Sequence, residues 1–308
     1  MKPKVSIIGA GNVGSQCAYR LAQLEIAEII LLDILQGLPQ GKALDMCQAA
    51  AVDKFEPLIL GTNNYEDTKN SSVVVITAGL ARKPGMSRED LIVKNAEIVK
   101  EVVEKVIKFS PNAVLLVVTN PLDIMTYYAY QISGFPANRV LGMAPVLDAA
   151  RMAYFISQAL KVSIKEIYAE VLGSHGDLMV PIPRLSSVQG KPITELLTVE
   201  QIAQIVKKTK EGGAEIVNLL KTGSAYYAPG SSAAKMVEAI IKDQKEVMGT
   251  CCYLNGPYGL NNVYLGVPAK LGKNGVEEII EIELTSEEKS ALLKAAESVK
   301  SFYPILKI

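Results

Sequence analysis

The feature that most constrains the fold is a glycine-rich turn that separates an apolar run from an amphipathic stretch near the start of the chain. The run Lys4–Ile8 predicts a buried strand, the turn Gly9-Ala-Gly-Asn-Val-Gly14 follows it, and the apolar spacing beyond predicts a helix over about residues 13–24. A second strand is predicted at 28–32, with Asp33 directly after it. This order is typical of a dinucleotide-binding βαβ unit, in which a strand is followed by the pattern G-x-G-x-x-G, a helix, a second strand and an acidic residue.

The glycines of this turn have separate physical tasks. Gly9 makes the tight turn, Gly11 lets the backbone approach a pyrophosphate, and Gly14 permits close packing of the helix on the strand. The N-terminus of the helix then faces the phosphates. The predicted cofactor-binding residues of the turn are Gly9, Ala10, Gly11, Asn12, Val13 and Gly14.

Asp33 indicates which dinucleotide binds. It stands at a strand end about 20 residues past the glycines, where a carboxylate accepts hydrogen bonds from the ribose 2′-hydroxyl. The same charge repels a 2′-phosphate, so the sequence predicts NAD rather than NADP. The alternative is an ordinary βαβ turn followed by a chance acid.

The alternation of strands and helices continues to about residue 142. Further strands are predicted at 57–60, 73–77, 113–118 and 139–141, and further helices at 88–109 and 124–133. Apolar strands separated by helices predict an α/β fold with a doubly wound parallel sheet of the Rossmann type. Ligands of such sheets bind beyond the carboxyl ends of the strands, so the loops after Thr77 and Val118 are expected to face the site.

The pattern changes after Gly142. Helices are predicted at 146–160, 199–220, 232–242 and 286–302, and strands at 166–172, 250–254, 263–267 and 276–284. Glycine and proline turns between the last strands favour antiparallel pairing. The sequence therefore predicts a Rossmann NAD-binding domain over residues 1–142, followed by an α+β substrate domain over 143–308. Ser286 is the expected N-cap of the last helix, and Lys289 three residues on predicts no capping box.

Composition excludes several classes of function. Lys plus Arg and Asp plus Glu number 32 each, so no net charge recruits nucleic acid or an anionic membrane. Apolar runs of about six residues are far shorter than the roughly 20 that span a bilayer. A first strand starting by Val5 leaves no room for a signal peptide, which favours a cytoplasmic location. The four cysteines form no C-x-x-C pair, so we expect reduced thiols and no metal site.

His175 is the only histidine and therefore the leading candidate for proton exchange near neutral pH. Gly173 and Gly176 bracket it in a turn after a predicted strand, which puts the imidazole at a strand end. The alternative is a histidine that merely forms hydrogen bonds in a loop.

Other candidate groups stand at strand and helix ends. The loop 78–88, with Arg82 and Arg88, is typical of a mobile lid with cationic tips. Asn120 follows a predicted strand. Asp148 and Arg151 are three apart on a helix and project from one face, where an arginine fork is suited to a carboxylate. Each residue alone could be a solvated charge or a turn residue, but together they suit an acid substrate beside a dinucleotide.

At this level of detail the chain resembles the lactate/malate dehydrogenase family along essentially its whole length, and within it the lactate-dehydrogenase-like malate dehydrogenases of bacteria. The matching stretches are Gly9–Gly14 with Asp33, Arg82–Arg88, Thr119–Asp123, Val146–Arg151, Gly173–Asp177 and Gly223–Pro229. Several ordered motifs at matching separations are much more specific than any single one.

The resemblance assigns roles to these residues. It implies that His175 accepts the proton, that Asp148 orients it and that Arg151 binds the C1 carboxylate of the substrate. Asn120 and Arg88 are expected to face the substrate carbonyl or hydroxyl. The resemblance further implies a homodimer or homotetramer and contacts to NAD from Asn95, Val118, Thr119 and Asn120.

Arg82 is the position that separates two substrates. Enzymes of the lactate type resemble this loop but carry glutamine there, whereas those of the malate type carry arginine. A second cation suits the second carboxylate of malate or oxaloacetate, and a carboxylate or cation left unpaired in a buried site costs several kcal/mol. Ala225 leaves room where many lactate enzymes carry threonine. The expected substrate is therefore a small dicarboxylate, malate or oxaloacetate.

Two departures and two alternatives accompany this hypothesis. Pro145 and Ser174 stand where the family usually has glycine, close to Asp148 and His175.

The nearest alternative function is an L-lactate or other 2-hydroxy-acid dehydrogenase. A more distant one is a non-catalytic NAD-binding regulator, which would need the glycine turn but not the histidine.

Overall fold

The first half of the chain forms a parallel sheet in the computed structural model, which describes residues 2–80 and 86–306. Its strands are β1 (Lys4–Ile8), β2 (Glu28–Leu32), β3 (Ile59–Thr62), β4 (Val73–Ile76), β5 (Val114–Val117) and β6 (Val140–Gly142). The helices between them are α1 (Asn12–Gln23), α2 (Leu38–Asp53), α3 (Arg88–Phe109) and α4 (Leu122–Ser133). The strand order is β3-β2-β1-β4-β5-β6, and all six strands are parallel. The chain adds strands on one side of β1 first and then on the other, which confirms the predicted doubly wound Rossmann topology.

Burial explains why the central strands of this sheet could be predicted from the sequence. Every residue of β4 and β5 is buried. Because alternate side chains of a strand point to opposite faces, complete burial means that both faces of the sheet are covered.

Helix α2 was missed by the sequence analysis. Its buried stripe consists of Pro39, Ala43, Met46 and Ala50, which are mostly small residues. Two larger apolar residues of the same helix, Leu44 and Val52, are 61% and 79% exposed. The strongest hydrophobic residues therefore lie off the buried face and obscure the helical period.

The second half continues the same sheet with antiparallel strands. It contains α5 (Pro145–Leu160), β7 (Ile167–Tyr168), β8 (Val171–Gly173), β9 (Met179–Pro181), β10 (Ser187–Val188), β11 (Lys191–Pro192), α6 (Val199–Leu220), α7 (Tyr227–Ile241), β12 (Glu246–Leu254), β13 (Val263–Gly272), β14 (Gly275–Ile279) and α8 (Ser286–Lys300). β12 pairs with β6 through Cys251 and Gly142, and β13, β8 and β9 follow in that order, with β14 paired to β13. Antiparallel pairing of the late strands is confirmed.

The strand predicted at 166–172 is wrong in one respect, because it forms two short strands in different sheets. β7 belongs to a three-stranded sheet with β10 and β11, whereas β8 joins the main sheet. The break lies at Glu170, whose backbone N–H donates to the Ser186 hydroxyl at 3.1 Å instead of to a neighbouring strand.

The start of one helix and the N-cap of another also differ from the prediction. α7 begins at Tyr227, five residues before the predicted start at 232. The N-cap of α8 is Thr285 rather than Ser286, and Glu288 completes a capping box with it, so the predicted absence of a box is wrong. The cap was misplaced by one residue, which changes the residue expected at the third helical position.

Pro145 starts α5 as a tightly packed residue. A Cβ atom at Gly249 would lie 2.7 Å from Pro145 Cβ, and one at Gly266 would lie 2.3 Å from Pro145 Cγ. Proline at the first helical position loses no hydrogen bond, because that N–H has no partner within the helix. The proline therefore fixes the start of α5 against β12 and β13, three residues before Asp148.

Candidate active site

The glycine loop, residues 9–14, is shaped by contacts that leave no space for side chains at two of its glycines. Gly9 has a φ of +110°, and an added Cβ would lie 2.7 Å from the Ala78 nitrogen. A Cβ at Gly14 would lie 1.9 Å from the Gly9 carbonyl oxygen. α1 therefore packs directly on the turn. Gly11 is the opposite case, since beyond Gly11 and its two chain neighbours no heavy atom of the described residues lies within 4 Å of its Cβ position.

Asp33 lies beside the glycine loop, at the carboxyl end of β2. Its Oδ2 accepts a hydrogen bond from the Ala10 N–H at 2.7 Å, and its Oδ1 accepts one from the Leu35 N–H at 3.0 Å. Lys42 reaches the loop from α2 and donates to the Ala10 carbonyl at 2.7 Å. The sequence analysis missed Lys42 because it missed the helix that carries it.

The carboxyl ends of β4 and β5 are joined by side-chain hydrogen bonds to the backbone. Thr119 donates to the Ala78 carbonyl at 2.6 Å. Asn95, which is fully buried on α3, accepts from the Leu80 N–H at 2.8 Å and donates to the Asn120 carbonyl at 2.6 Å. Asn95 therefore holds the two loops together through their backbones. Direct contact between Asn95 and NAD stays a prediction.

Three predicted residues meet as the His175 cluster, which consists of His175, Asp148 and Arg151. The His175 Nδ1 lies 2.9 Å from Asp148 Oδ2, and Arg151 Nη1 donates to Asp148 Oδ1 at 3.1 Å. The Asp148 side chain is 2% exposed, whereas that of His175 is 19% exposed. Since Nδ1 is occupied by Asp148, Nε2 is the nitrogen available to a ligand.

Opposing effects set the pKa of the His175 imidazole. Burial lowers the pKa, since it disfavours the charged form, and the positive charge of Arg151 acts in the same direction. The charge of Asp148 and its hydrogen bond raise the pKa, and the Asp123 carboxylate adds a smaller contribution of the same sign. The net result is a pKa raised above the ordinary value. The imidazole therefore holds its proton more strongly than a free histidine.

A cavity of about 240 Å³ joins the His175 cluster to the glycine loop. Its lining comes from both halves of the chain and consists of Val13, Val118, Asn120, Met143, Leu147, Arg151, His175, Gly213, Ser224, Ala225 and Pro229. Val13 and Val118 belong to the predicted cofactor side, and Arg151 and His175 to the predicted substrate side. A dinucleotide on the glycine loop and a small acid on Arg151 would therefore meet at His175.

Two adjacent glycines of α6 lie against the Arg151 side chain. A Cβ at Gly213 would lie 3.3 Å from Arg151 Nη2, whereas one at Gly212 would lie 3.6 Å from Arg151 Cδ. Glycine inside a helix is about 1 kcal/mol less favourable than alanine, so an adjacent pair needs a reason. The guanidinium supplies one at Gly213, a residue that the sequence analysis did not single out.

Of the two remaining predicted cations, only Arg88 is among the described residues, and it does not line this cavity. The guanidinium carbon of Arg88, at the start of α3, lies 4.5 Å from the centroid of the Phe302 ring, and Arg88 is not one of the lining residues. Its predicted contact with the substrate stays a prediction. Arg82 lies outside the described residues, as do residues 81–85 of the predicted lid as a whole.

The sequence analysis also missed Asp123, a buried residue of α4 whose carboxylate accepts a hydrogen bond from the His175 backbone N–H at 3.0 Å. It quoted Asp123 within a matching stretch but gave it no role. Because the two residues are 52 positions apart in sequence, no local pattern predicts this contact.

Neither a metal site nor a membrane span is found in the part of the chain that the structure describes. Residues 2–80 and 86–306 hold no group of three or more His, Cys, Asp or Glu side chains able to bind a metal ion. No helix within those ranges is long and apolar enough to cross a membrane. All four cysteines are free, and three of them, Cys17, Cys251 and Cys252, are buried.

A dinucleotide loop and a histidine–aspartate pair around one cavity define the class, an NAD-dependent dehydrogenase. The chain belongs to the lactate/malate dehydrogenase family. Residues 3–142 match the family's NAD binding domain, and residues 146–303 match its alpha/beta C-terminal domain. The predicted family, fold class, enzyme class and cofactor are thereby confirmed.

Individual relatives include proteins of both substrate types. A malate dehydrogenase from Chlorobium limicola is 54% identical over 96% of both chains. The crystal structure of Cryptosporidium parvum malate dehydrogenase superposes with a TM-score of 0.97 at 46% identity, covering 100% of this chain and 99% of that one. A lactate dehydrogenase of the same organism, whose structure contains lactic acid and the dinucleotide, superposes with a TM-score of 0.96 at 40% identity. The match covers 100% of this chain and 98% of that one. The fold alone therefore does not separate the two substrates.

Proposed function

We propose that the protein catalyses the reversible NAD-dependent oxidation of (S)-malate to oxaloacetate, with His175 as the general base. The observation that carries the proposal is the shared cavity, which joins Val13 of the glycine loop to His175 and Arg151. Residues from both halves are needed to enclose it. We accordingly propose residues 1–142 as the cofactor-binding domain and 143–308 as the substrate domain.

NAD is held by the carboxyl ends of the parallel strands. The open side of the glycine loop at Gly11 and the N-terminus of α1 suit the pyrophosphate, and Asp33 suits the ribose hydroxyls. Val118, Thr119 and Asn120 extend this surface to the cavity. When bound, NAD supplies the hydride acceptor for the C2 hydrogen of the substrate.

The His175 cluster moves the proton. In malate oxidation the Nε2 of neutral His175 takes the C2 hydroxyl proton while the C2–H bond breaks and the carbonyl forms. Asp148 stabilises the imidazolium that results. In the reverse direction the protonated imidazole returns that proton to the oxygen, so the raised pKa of His175 favours reduction near neutral pH.

Arginine side chains are proposed to select a dicarboxylate substrate over a monocarboxylate one. Arg151 is the proposed partner of the C1 carboxylate, and Asn120 and Arg88 are proposed for the C2 oxygen. Arg82 is proposed for the second carboxylate, which pyruvate and lactate lack. Ala225 adds little bulk to the cavity wall, and identity is higher to the malate dehydrogenase of Chlorobium limicola than to the lactate dehydrogenase of Cryptosporidium parvum.

Steady-state assays with NADH and either oxaloacetate or pyruvate test the substrate. We expect a preference for oxaloacetate, and the variant Arg82→Gln should shift the preference towards pyruvate. A wild-type preference for pyruvate would overturn the malate assignment in favour of lactate. An unchanged preference in Arg82→Gln would show that another residue is the discriminator.

The non-catalytic alternative has its own test. A regulator that only binds NAD does not need the imidazole, so a His175→Asn variant would complement a deletion strain fully. We expect that variant to bind NADH and to fail in complementation.

We also propose a homodimer or homotetramer in the cytoplasm. Several large apolar side chains are exposed on the helices, including Leu44 and Val52 of α2 and Leu219 of α6. Such residues are common in subunit contacts. Light scattering at two protein concentrations tests the assembly. Four free cysteines fit a reducing compartment.

A further inference from the structure

Asp123 is a buried carboxylate that the proposed reaction does not use. It is 4% exposed, and both of its oxygens have partners. Oδ2 accepts hydrogen bonds from the Ser174 hydroxyl at 2.9 Å and from the His175 N–H at 3.0 Å, and Oδ1 accepts one from the Cys251 thiol at 3.3 Å. The three donors are uncharged groups.

Burial of this group has a cost, and no cationic group donates a hydrogen bond to it among the described residues; the only charge that offsets part of that cost is that of the nearby His175 imidazolium. A carboxylate removed from water loses several kcal/mol of solvation, and hydrogen bonds from neutral donors recover part of it. Burial raises the pKa of Asp123, and the bond from Ser174 opposes that rise only in part. A neutral residue of similar size would avoid this cost. The carboxylate therefore does something that a neutral residue would not do as well.

The position of Asp123 links three distant segments. It lies in the first turn of α4, three residues after Asn120 of the cavity. Its partners Ser174 and His175 are 51 and 52 residues away in sequence, and Cys251 of β12 is 128 residues away. Both halves of the chain thus meet at one carboxylate directly behind His175.

Two carboxylates hold His175 at different points. Asp148 binds the ring through Nδ1, and Asp123 binds the backbone N–H of the same residue. Neighbouring Ser174 is buried, and its hydroxyl adds a second bond from this turn to Asp123. A ring bond alone fixes the direction of the imidazole, whereas the backbone bonds fix where its Cα lies.

We propose that Asp123 and Ser174 form a positioning pair that holds the His175 backbone so that the imidazole stays on Asp148 and faces the cavity. The inference rests on the proposed function of His175. It also gives a physical role to Ser174, whose hydroxyl supplies a bond that glycine could not. A misplacement of about 1 Å at a reacting group can reduce a rate by about 100-fold, so small changes here are measurable.

The first test replaces the carboxylate by its isosteric amide. In Asp123→Asn we expect kcat for oxaloacetate to fall roughly 10- to 100-fold, with the KM and the Kd for NADH changed less than threefold. The matched control is Glu170→Gln, since Glu170 is also buried (5% exposed) and its pKa is likewise raised by burial, but none of its hydrogen bonds involves His175. Equal losses of kcat in the two variants would overturn the proposal.

A second readout does not depend on turnover. His175 is the only histidine, so an NMR titration of untagged protein reports its pKa and tautomer without ambiguity. Among the described residues, the charged or titratable groups around the cluster are Asp148 and Arg151 on α5, Asp123 on α4, Cys251 on β12 and Tyr303 near the C-terminus. We expect Asp123→Asn to lower the pKa of His175, by less than Asp148→Asn does, and Glu170→Gln to leave it unchanged. An unchanged titration in folded Asp123→Asn would overturn the proposal.

A pair of milder variants tests the same proposal if Asp123→Asn does not fold. Ser174→Ala removes one of the two bonds from the turn, and we expect a roughly 3- to 10-fold loss of kcat. The control Ser133→Ala removes a buried hydroxyl from the far end of α4 and should keep full kcat. Equal kcat in the two variants would contradict the proposal. Failure of the proposed function would instead appear as wild-type protein that does not reduce oxaloacetate, with the titration differences intact.

Discussion

In the glycine loop the functional groups are backbone atoms of one short segment, whereas in the His175 cluster they are side chains brought together from separate elements. Residues 9–14 pack so closely that backbone atoms occupy the positions where side chains at Gly9 and Gly14 would lie. The His175 cluster instead depends on ion pairs and hydrogen bonds between α5 and the turn after β8, with Asp123 of α4 behind it.

This difference predicts which substitutions each region tolerates. The loop should be most sensitive to atoms added at Gly9 and Gly14, because the closest contacts there are steric. The cluster should be sensitive to charge and hydrogen-bonding capacity even when shape is kept. The following five predictions test this contrast, from the largest expected effect to the smallest.

Replacing His175 by asparagine keeps a polar side chain but removes the proton carrier. We expect kcat to fall by roughly 10² to 10⁴, which is the usual contribution of a general base. The Kd for NADH should stay within about twofold, because the glycine loop is untouched. Stopped-flow turnover and NADH fluorescence, which no tryptophan in this chain obscures, measure the two quantities. Parallel losses of turnover and binding would mean that the two regions are not separable.

Adding one methyl group to the loop is the complementary experiment. In Gly14→Ala the new Cβ would lie 1.9 Å from the Gly9 oxygen, so the turn must move. Overpacking of this kind costs about 1–3 kcal/mol, and each 1.4 kcal/mol is a tenfold change in affinity, so NADH binding should weaken roughly 10- to 100-fold and Tm should fall. Gly11→Ala is the control for stability, since its Cβ meets no described atom within 4 Å. It should keep Tm while losing affinity, and a drop in its Tm would contradict the steric account.

Asp148→Asn keeps the shape of the cluster and removes its charge. Because Asp148 raises the pKa of His175, the variant should have a lower pKa, and oxaloacetate reduction, which needs the protonated imidazole, should decline at lower pH than in wild type. The kcat/KM profile from pH 5 to 9 measures this. An unshifted profile would show that Asp148 does not control the proton.

The same variant has a pH-dependent stability with a defined sign. A raised pKa in the folded state stabilises the protein fully below the unfolded pKa of about 6.5, and this contribution is lost as pH rises through the folded pKa. Urea unfolding should therefore show a larger deficit for Asp148→Asn at pH 5.5 than at pH 9. Loss of the Arg151 contact contributes equally at both pH values, so an equal deficit would assign the whole effect to Arg151.

The smallest effect is expected at the two glycines of α6. Gly213→Ala should raise the KM for oxaloacetate about 3- to 10-fold by displacing the Arg151 guanidinium, with little change in kcat. Gly212→Ala, whose Cβ makes an ordinary 3.6 Å contact, should leave KM unchanged. Both variants should gain up to about 1 kcal/mol of helix stability, which calorimetry can detect. A KM change in both would mean that the helix as a whole, rather than Gly213, seats Arg151.

Much of the fold was predictable because its signals are local. β1, β2, α3 and α6 begin and end at the predicted residues. The errors occur where a distant partner decides the outcome. Glu170 breaks a predicted strand because its backbone bonds to Ser186, and α2 turns its strongest hydrophobic residues outward.

The candidate site divides in the same way. The glycine loop and the pair Asp148 and Arg151 could be identified from spacing alone, since their partners lie within one turn or one helix. Lys42 and Asp123 could not, because their partners are 32 and at least 51 residues away. No periodic pattern encodes a contact at that separation.

The sequence by itself determined the parallel sheet and the glycine loop, because backbone conformation and hydrophobic period act over a few residues. It also made His175, the only histidine, the candidate proton carrier. Only the tertiary structure decided that β12 joins β6 and that the His175 turn rests on Asp123. It also showed that Gly213 makes room for Arg151. These depend on packing between segments far apart in the chain, where the free energy comes from burial and pairing that no local stretch contains.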